Sequence, residues 1–451
     1  MHKITNTGLL VNTTMNRHPI ILSRSLENIG SRIAMVSVPV IVLACLAIHE
    51  CAPTTIVAKA LIIVILVLSQ VFLIACLQSH DIFVFSIMLA GLISKVVSAS
   101  LQAHMARWGS SDALMYFDEG RNLADNSSTF WDVFNTHSFW GTELIAGVTA
   151  CIFRSIGSSL IVGMILFTIV SFWGQYLYFL AHRESFPSSG LRRAILALFF
   201  WPSILFWSSS LGKDALMLLF LGLASFSMAK LSSKKTKGMF FLLAVAVCGS
   251  FFIRPHIAAI LIISVVASFH FGSPVPKPAS ASRKIIKSGL LLCFSSLVVY
   301  LCVQFLQLGD LVEAQNHIDT SVQSNELGRS GFDPGTNPVV RVALAPLLLI
   351  RPFPWEVNGI PAALTSVEGC VLLALAFYKR TTLRALLKSR RAHVFVVFLL
   401  WFVSLNILLM GIGESNFGLL ARQRVMVLPM LLMLLFAFTG GERTTLSNKN
   451  V

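Results

Sequence analysis

The feature that most constrains this sequence is a succession of apolar blocks, each near the length needed to cross a bilayer. A helix of about 20 apolar residues spans the hydrocarbon core of a membrane, whereas a soluble core needs no such runs. We find about twelve such blocks: residues 33–49, 60–77, 82–101, 158–181, 191–208, 215–230, 238–253, 257–272, 288–307, 359–378, 392–412 and 420–439. The pattern predicts an all-α membrane protein with about twelve transmembrane helices in a single polytopic domain, residues 1–451.

The distribution of charge sets the expected orientation. Only 12% of the residues are charged, against about 25% in soluble proteins. With both termini placed in the cytoplasm, most of the 35 Lys and Arg residues fall in cytoplasmic segments, as the positive-inside rule requires. This asymmetry accounts for the net charge of +15 and excludes nucleic acid as the expected partner.

Two long loops then face the non-cytoplasmic side of the membrane, residues 102–157 and 308–358. The end of the first loop, residues 138–156, contains Glu143 and Arg154 and alternates an apolar face with polar positions. That composition is typical of a helix lying in the membrane interface rather than crossing it.

The first loop carries the sequence S-D-A-L-M-Y-F-D-E-G at residues 111–120. In a helix, Asp112, Tyr116 and Glu119 share one face, and Asp118 points elsewhere. Such an acid beside an aromatic ring could act as a general base for a hydroxyl group or bind a divalent metal, the one cofactor that the sequence suggests. The alternative interpretation is a solvated acidic helix with no chemical role.

Several cations fall on the side where the positive-inside rule provides no reason for them. Arginine side chains hold phosphate groups with two hydrogen bonds, and lysine binds them as a point charge, so together they predict a lipid phosphate site. Taken singly, each could instead be a side chain reaching the headgroup region. The substrate-binding candidates in these segments are Lys213, Asp214, Arg254, His256, Arg351, Glu356, Arg422 and Arg424, with Tyr116 from the first loop.

Two ionisable residues fall inside the predicted spans, Lys95 and Glu368. Charges within a membrane are costly and usually face a partner or a wet cavity. A structural pair between Lys95 and Glu368 is the simplest interpretation.

These residues resemble the GT-C class of polytopic glycosyltransferases and the membrane proteins of bacterial surface-polysaccharide clusters. The similarity is one of layout, over about residues 80–440. Its motifs are the 111–120 stretch, W-P-S-I-L-F-W-S-S-S-L-G-K-D at 201–214, I-R-P-H at 253–256, R-P-F-P-W-E at 351–356 and N-F-G-L-L-A-R-Q-R at 416–424. The resemblance implies that an acid of the first loop is the catalytic base or a metal-associated acid, assigned to Asp112 first and to Glu119 or Asp118 second. It also implies that the outer bases hold the lipid phosphate. The chain departs from the family in having its adjacent acidic pair at Asp118-Glu119 and three spans before this loop.

The sequence therefore predicts an inverting glycosyltransferase or polymerase of the bacterial inner membrane, with its active face towards the periplasm. Its expected partners are a polyprenyl-phosphate-linked sugar donor, a glycan or lipid acceptor and the membrane. Two alternatives remain open: a carrier or flippase for a lipid-linked glycan, and a non-catalytic partner of a polysaccharide assembly machine. A carrier is expected to hold its ionisable groups near the midplane, at interrupted helices.

Overall fold

A computed structural model describes residues 56–78, 81–106, 111–135, 140–186, 190–233, 237–272, 331–332, 337–357, 359–381, 383–384 and 393–437. These residues are almost entirely helical, apart from an isolated β-bridge between Gly331 and Asn416. The α-helices are α1 (Ile56–Gln78), α2 (Ile82–Met105), α3 (Asp112–Asn126), α4 (Phe130–Asn135), α5 (Gly141–Ile156), α6 (Leu160–Ser185), α7 (Leu191–Phe200), α8 (Pro202–Trp207), α9 (Lys213–Ser233), α10 (Lys237–Ile253), α11 (Pro255–Phe271), α12 (Pro338–Leu344), α13 (Ile360–Tyr378), α14 (Val394–Gly413) and α15 (Phe417–Leu435).

The all-α membrane character is confirmed in the described part of the chain. Six helices there are long and apolar enough to cross a membrane: Lys59–Leu77, Ile82–Met105, Leu160–Ser185, Lys213–Ser233, Val394–Gly413 and Phe417–Leu435. Shorter apolar helices cover Gly238–Ile253, Pro255–Phe271, Val339–Leu349 and Ala362–Tyr378. The predicted spans 33–49 and 288–307, and most of the second loop, lie outside the described residues. The number of spans therefore remains a prediction.

The chain divides into two compact units at a boundary within α2, residues 1–90 and 91–451. In the second unit, α9 packs extensively along α6. Gly174 and Gly222 lie at this contact, where a Cβ on either residue would collide with the backbone of the opposite helix. Small residues allow apolar helices to approach this closely in membrane proteins.

The predicted span 191–208 is wrong as a continuous helix. The structure breaks it into α7 and α8 at Trp201, which is extended because the next residue is Pro202. Arg254 is likewise non-helical before Pro255 and separates α10 from α11. Proline at the first helical position starts a new helix without losing a hydrogen bond, so both breaks are fixed by the sequence.

The end of the first loop forms a helix as predicted, α5. It packs against α3, and Gly120 of α3 lies directly against Thr149 of α5. The contact holds α3, which carries the candidate acids, against the rest of the second unit.

Candidate functional site

A chain of ion pairs joins four residues that are far apart in the sequence. Arg422 donates from Nη1 to Asp112 Oδ2 at 2.5 Å and from Nε to Asp214 Oδ2 at 2.9 Å. Arg254 donates from Nη2 to Asp214 Oδ1 at 2.8 Å. We call these four residues the acid–base network, and all four are candidates from the sequence.

Three members of the acid–base network lie at helix ends, and the fourth, Arg422, lies in the second turn of α15. Asp112 is the first residue of α3, whose start is capped by the Ser111 side chain accepting a hydrogen bond from Leu114 N. Asp214 lies in the first turn of α9, and Arg254 occupies the break between α10 and α11. Four different segments therefore meet at one end of α9.

Burial differs sharply along the acid–base network. The Asp214 side chain is 5% exposed and accepts hydrogen bonds from both arginines, whereas the Asp112 side chain is 53% exposed. Asp112, Asp214 and Arg422 border a small cavity of about 70 Å³ that also touches Trp207. Asp112 is thus the most exposed of the three network residues that border this cavity.

Lys213 and Tyr116 extend the network on its α5 side. Lys213 Nζ donates to Thr142 Oγ1 at 2.9 Å, and the Tyr116 hydroxyl also hydrogen-bonds to Thr142. Burial first, and then the negative charge of Asp112, raise the pKa of Tyr116 to about 12. Tyr116 therefore keeps its proton and can act as a hydrogen-bond donor, but it is not a base at neutral pH.

The local charge favours an anion. Lys213, Arg254 and Arg422 bring three positive charges, and Asp112 and Asp214 bring two negative ones. His256, partly buried at the start of α11, lies within electrostatic reach of Arg254 and Lys213.

Arg351 and Glu356 form a separate pair. Arg351 Nε lies 3.0 and 3.1 Å from the two carboxylate oxygens of Glu356, and its guanidinium lies 4.3 Å from the centre of the Phe332 ring. Although burial acts to raise the pKa of Glu356, the hydrogen bonds from Arg351 and from Phe353 N lower it overall. Glu356 is therefore ionised at neutral pH.

Arg351 and Glu356 line a groove of about 460 Å³, which we call the arginine groove. Its charged residues are Arg341, Arg351, Glu356 and Glu414. Its remaining lining is apolar or aromatic: Phe332, Val340, Leu344, Leu347, Leu348, Phe353, Trp355 and Gly411.

Glu414, between α14 and α15, is 5% exposed. Its Oε1 accepts a hydrogen bond from Gln423 Nε2, and its Oε2 has no hydrogen-bond partner among the described residues. Burial raises the pKa of Glu414 to about 7, against the opposing effects of Arg254 and Gln423. Its carboxyl group is therefore poised to gain or lose a proton near neutrality.

The candidate Arg424 lies apart from the acid–base network and is 1% exposed. Its Nη1 donates to the carbonyl oxygens of Leu349 at 3.0 Å and Arg351 at 2.8 Å, and its Nη2 lies 3.8 Å from Glu368 Oε1. Backbone carbonyls and one carboxylate thus already surround this guanidinium.

The simple Lys95–Glu368 pairing is wrong. Lys95 Nζ donates to the hydroxyls of Ser171 at 2.8 Å and Ser208 at 2.6 Å. Glu368 instead accepts hydrogen bonds from Trp201 Nε1 and from the Ser203 amide and hydroxyl, at the break between α7 and α8. The broken helix supplies the unsatisfied donors that Glu368 needs, and the sequence alone did not reveal this.

The other two catalytic candidates, Asp118 and Glu119, are exposed and are not members of the acid–base network. Asp118 is on the outer face of α3, and Glu119 lines a different cavity of about 570 Å³ between α3 and α5. Within the described residues, no three His, Cys, Asp or Glu side chains are grouped closely enough to hold a metal ion.

Sequence reasoning missed Thr142, Glu414 and Gln423. Thr142 is an unremarkable residue in sequence, and only the fold brings it to Lys213. Glu414 offered a signal, because it is an acid directly after the apolar run of α14 and shortly before the motif at 416–424.

No protein-family model, curated protein or solved structure matches this chain.

Proposed function

We propose that this chain is a membrane glycosyltransferase or polymerase that takes sugar from a polyprenyl-phosphate-linked donor. Its setting would be the bacterial inner membrane, and its product a cell-surface polysaccharide or glycan. The observation that carries the proposal is the acid–base network, in which the half-exposed Asp112 shares Arg422 with the buried Asp214.

The network offers the two functions that glycosyl transfer from a lipid phosphate needs. One is a carboxylate that accepts the proton of the acceptor hydroxyl, and the other is positive charge to stabilise the phosphate as it leaves. Asp112 would supply the first, and Lys213, Arg254 and Arg422 the second.

The reaction proposed is a single displacement. The acceptor oxygen attacks the anomeric carbon while its proton passes to Asp112, and the bond between that carbon and the phosphate oxygen breaks. The polyprenyl phosphate leaves with the electron pair, and the configuration at the anomeric carbon is inverted.

The shared arginine would couple donor binding to the base. Arg422 Nη1 donates a hydrogen bond to Asp112 Oδ2 in the structure and so occupies one oxygen of the carboxylate. A donor phosphate that draws this guanidinium towards itself would free Asp112 to accept a proton. The oxygen that Arg422 now occupies would then be open to the acceptor hydroxyl only when the donor is in place.

The test compares Asp112→Asn with Asp118→Asn in purified protein supplied with a polyprenyl-phosphoryl hexose and acceptor glycan. Asparagine keeps the size of the side chain but accepts no proton, so Asp112→Asn should lower the transfer rate by a factor of about 10² to 10⁴. Asp118 is exposed on another face of α3, and its variant should stay close to wild type. Full transfer activity in Asp112→Asn would refute the assigned base.

A second candidate function, a lipid-linked glycan carrier, is favoured by one observation. Glu368 binds the interruption between α7 and α8, and interrupted helices that hold charged groups are typical of transporter binding sites. However, this carboxylate is 6% exposed and its partners are all protein groups. A carrier would move the intact lipid-linked sugar across the membrane of a proteoliposome without breaking it.

A further inference from the structure

Glu414 and the arginine groove carry an inference that rests on the proposed function and specifies where its lipid substrate binds. We infer that the arginine groove binds the phosphodiester and first isoprenoid units of the lipid donor before the phosphate moves on to the acid–base network, and that Glu414 takes up a proton when the groove is occupied. The geometry that supports this is a cavity with apolar walls, two arginines, and a buried carboxyl oxygen that has no hydrogen-bond partner among the described residues.

The apolar walls suit a lipid tail. Val340, Leu344 and Leu347 line the groove, yet they are 46%, 50% and 41% exposed. They belong to α12 and the following 3₁₀ turn, part of a short apolar stretch from Val339 to Leu349. Exposed apolar surface of this kind marks contact with lipid or a ligand in a membrane protein.

The charged end suits an anion, provided that Glu414 is neutral. Arg341 and Arg351 bring two positive charges, and the ionised Glu356 removes one of them. With Glu414 protonated, the groove carries a net charge of about +1 by this count. With Glu414 ionised, the groove has no net charge and presents a second carboxylate to the phosphate, so an anion binds the protonated form more tightly.

The described residues around Glu414 leave one of its carboxylate oxygens without a hydrogen bond, so the carboxyl group can take up a proton. Gln423 of α15 binds its Oε1, and Arg254, at the break between α10 and α11, is a cation within electrostatic reach. Arg341, Arg351 and Glu356 face it across the groove. Its Oε2 has no partner among these residues, and a protonated Oε2 can donate a hydrogen bond to a phosphate oxygen.

The inferred site borders the acid–base network. Gln423 follows Arg422 directly in α15, and Arg254 is itself a member of the network. A phosphodiester in the groove would therefore lie on the side of the network from which Arg254 can also attract it. The two assignments describe adjacent parts of one substrate path.

The experiment measures binding of farnesyl methyl phosphate to the full-length protein in detergent between about pH 6.5 and pH 8.5. A phosphodiester has no proton to gain or lose in this range, so any linked proton comes from the protein. If Glu414 takes up one proton, the affinity should fall roughly 20-fold across this range, and calorimetry in two buffers should show proton uptake.

Two variants and two ligands sharpen the result. Glu414→Gln should bind with an affinity that no longer depends on pH, while Glu356→Gln, an acid in the same groove, should keep the pH dependence. Farnesol, which lacks the anion, and dimethyl phosphate, which lacks the tail, should each bind at least about tenfold more weakly than the combined ligand. Comparable binding of dimethyl phosphate would reassign the groove to a free phosphate and overturn the lipid site.

Wild-type binding without proton uptake, or an unchanged pH dependence in Glu414→Gln, would also overturn the inference. Neither result would contradict the proposed function if Asp112→Asn still abolished sugar transfer. Conversely, if the protein bound the lipid with proton uptake but transferred no sugar, the groove would still be a lipid site and the proposed glycosyltransferase activity would be refuted.

Discussion

Arg422 and Arg424 lie two residues apart in the same helix and occupy opposite environments. Arg422 has a side chain that is 18% exposed and holds two carboxylates, one of which is half exposed. The Arg424 side chain is 1% exposed and is held by Glu368 and two backbone carbonyls. The comparison shows that two arginines of one membrane helix can differ in whether their partners are open to solvent, and this difference leads us to propose a binding role for Arg422 and a structural role for Arg424.

The first prediction concerns the buried member of this comparison. Arg424→Ala leaves Glu368 and two carbonyl oxygens without their cation, and removing one partner of a buried pair costs about 3–5 kcal/mol. The variant should unfold at a clearly lower temperature in detergent, with a reduced yield of folded protein.

Arg422→Ala is the matched control for Arg424→Ala. It leaves Asp214 paired with Arg254, so its unfolding temperature should stay much closer to wild type. Equal destabilisation by the two substitutions would remove the distinction between the two arginines.

The second prediction concerns the reachable member. Arg422→Ala should weaken binding of a polyprenyl-phosphoryl hexose by about tenfold to a hundredfold, because a charge-assisted contact contributes about 1.5–3 kcal/mol. Arg422→Lys should restore only part of the affinity, since an ammonium group cannot hold Asp112 and Asp214 in the same forked geometry. Unaltered binding in both variants would mean that the network has a purely structural role.

The third prediction concerns Glu414, whose partner Gln423 lies between the two arginines. Burial raises the pKa of its carboxyl from 4.5 to about 7 in the folded protein. The folded state therefore holds this proton more tightly than the unfolded state. The stability that the folded protein gains from this tighter proton binding is fully present below about pH 4.5, and it is lost as the pH rises through about 7.

This linkage should lower the stability of the wild type by about 3 kcal/mol at pH 8 relative to its stability below about pH 4.5. The glutamine of Glu414→Gln does not titrate. The unfolding temperature of this variant relative to that of wild type should therefore rise by several degrees between about pH 5 and pH 8. Asp132→Asn, at a partly exposed acid of α4, should show no such gain over this range. Parallel pH profiles for wild type and Glu414→Gln would contradict a neutral, buried carboxyl.

The sequence predicted the helical membrane character and most helix positions because apolar blocks and flanking polar residues are local signals. It also identified Asp112, Asp214, Arg254 and Arg422 as candidates from their types and positions. It could not predict that they form one network, because the contacts join residues separated by up to 310 positions.

The helix break at Trp201 and the partners of Glu368 were not predicted from the sequence, and each omission has an identifiable reason. The break at Trp201 was overlooked because an apolar run hides a helix interruption, even though Pro202 marks it. The partner of Glu368 depends on that break, so the expected pairing with Lys95 failed with it.

The most direct test of the central claim follows a donor lipid labelled separately in its sugar and its polyprenyl phosphate. Wild-type protein in proteoliposomes with acceptor glycan should separate the two labels, with the sugar on the glycan and the free polyprenyl phosphate left in the membrane. If both labels instead cross the membrane together and remain joined, the protein is a carrier, and the acid–base network is not a site of glycosyl transfer.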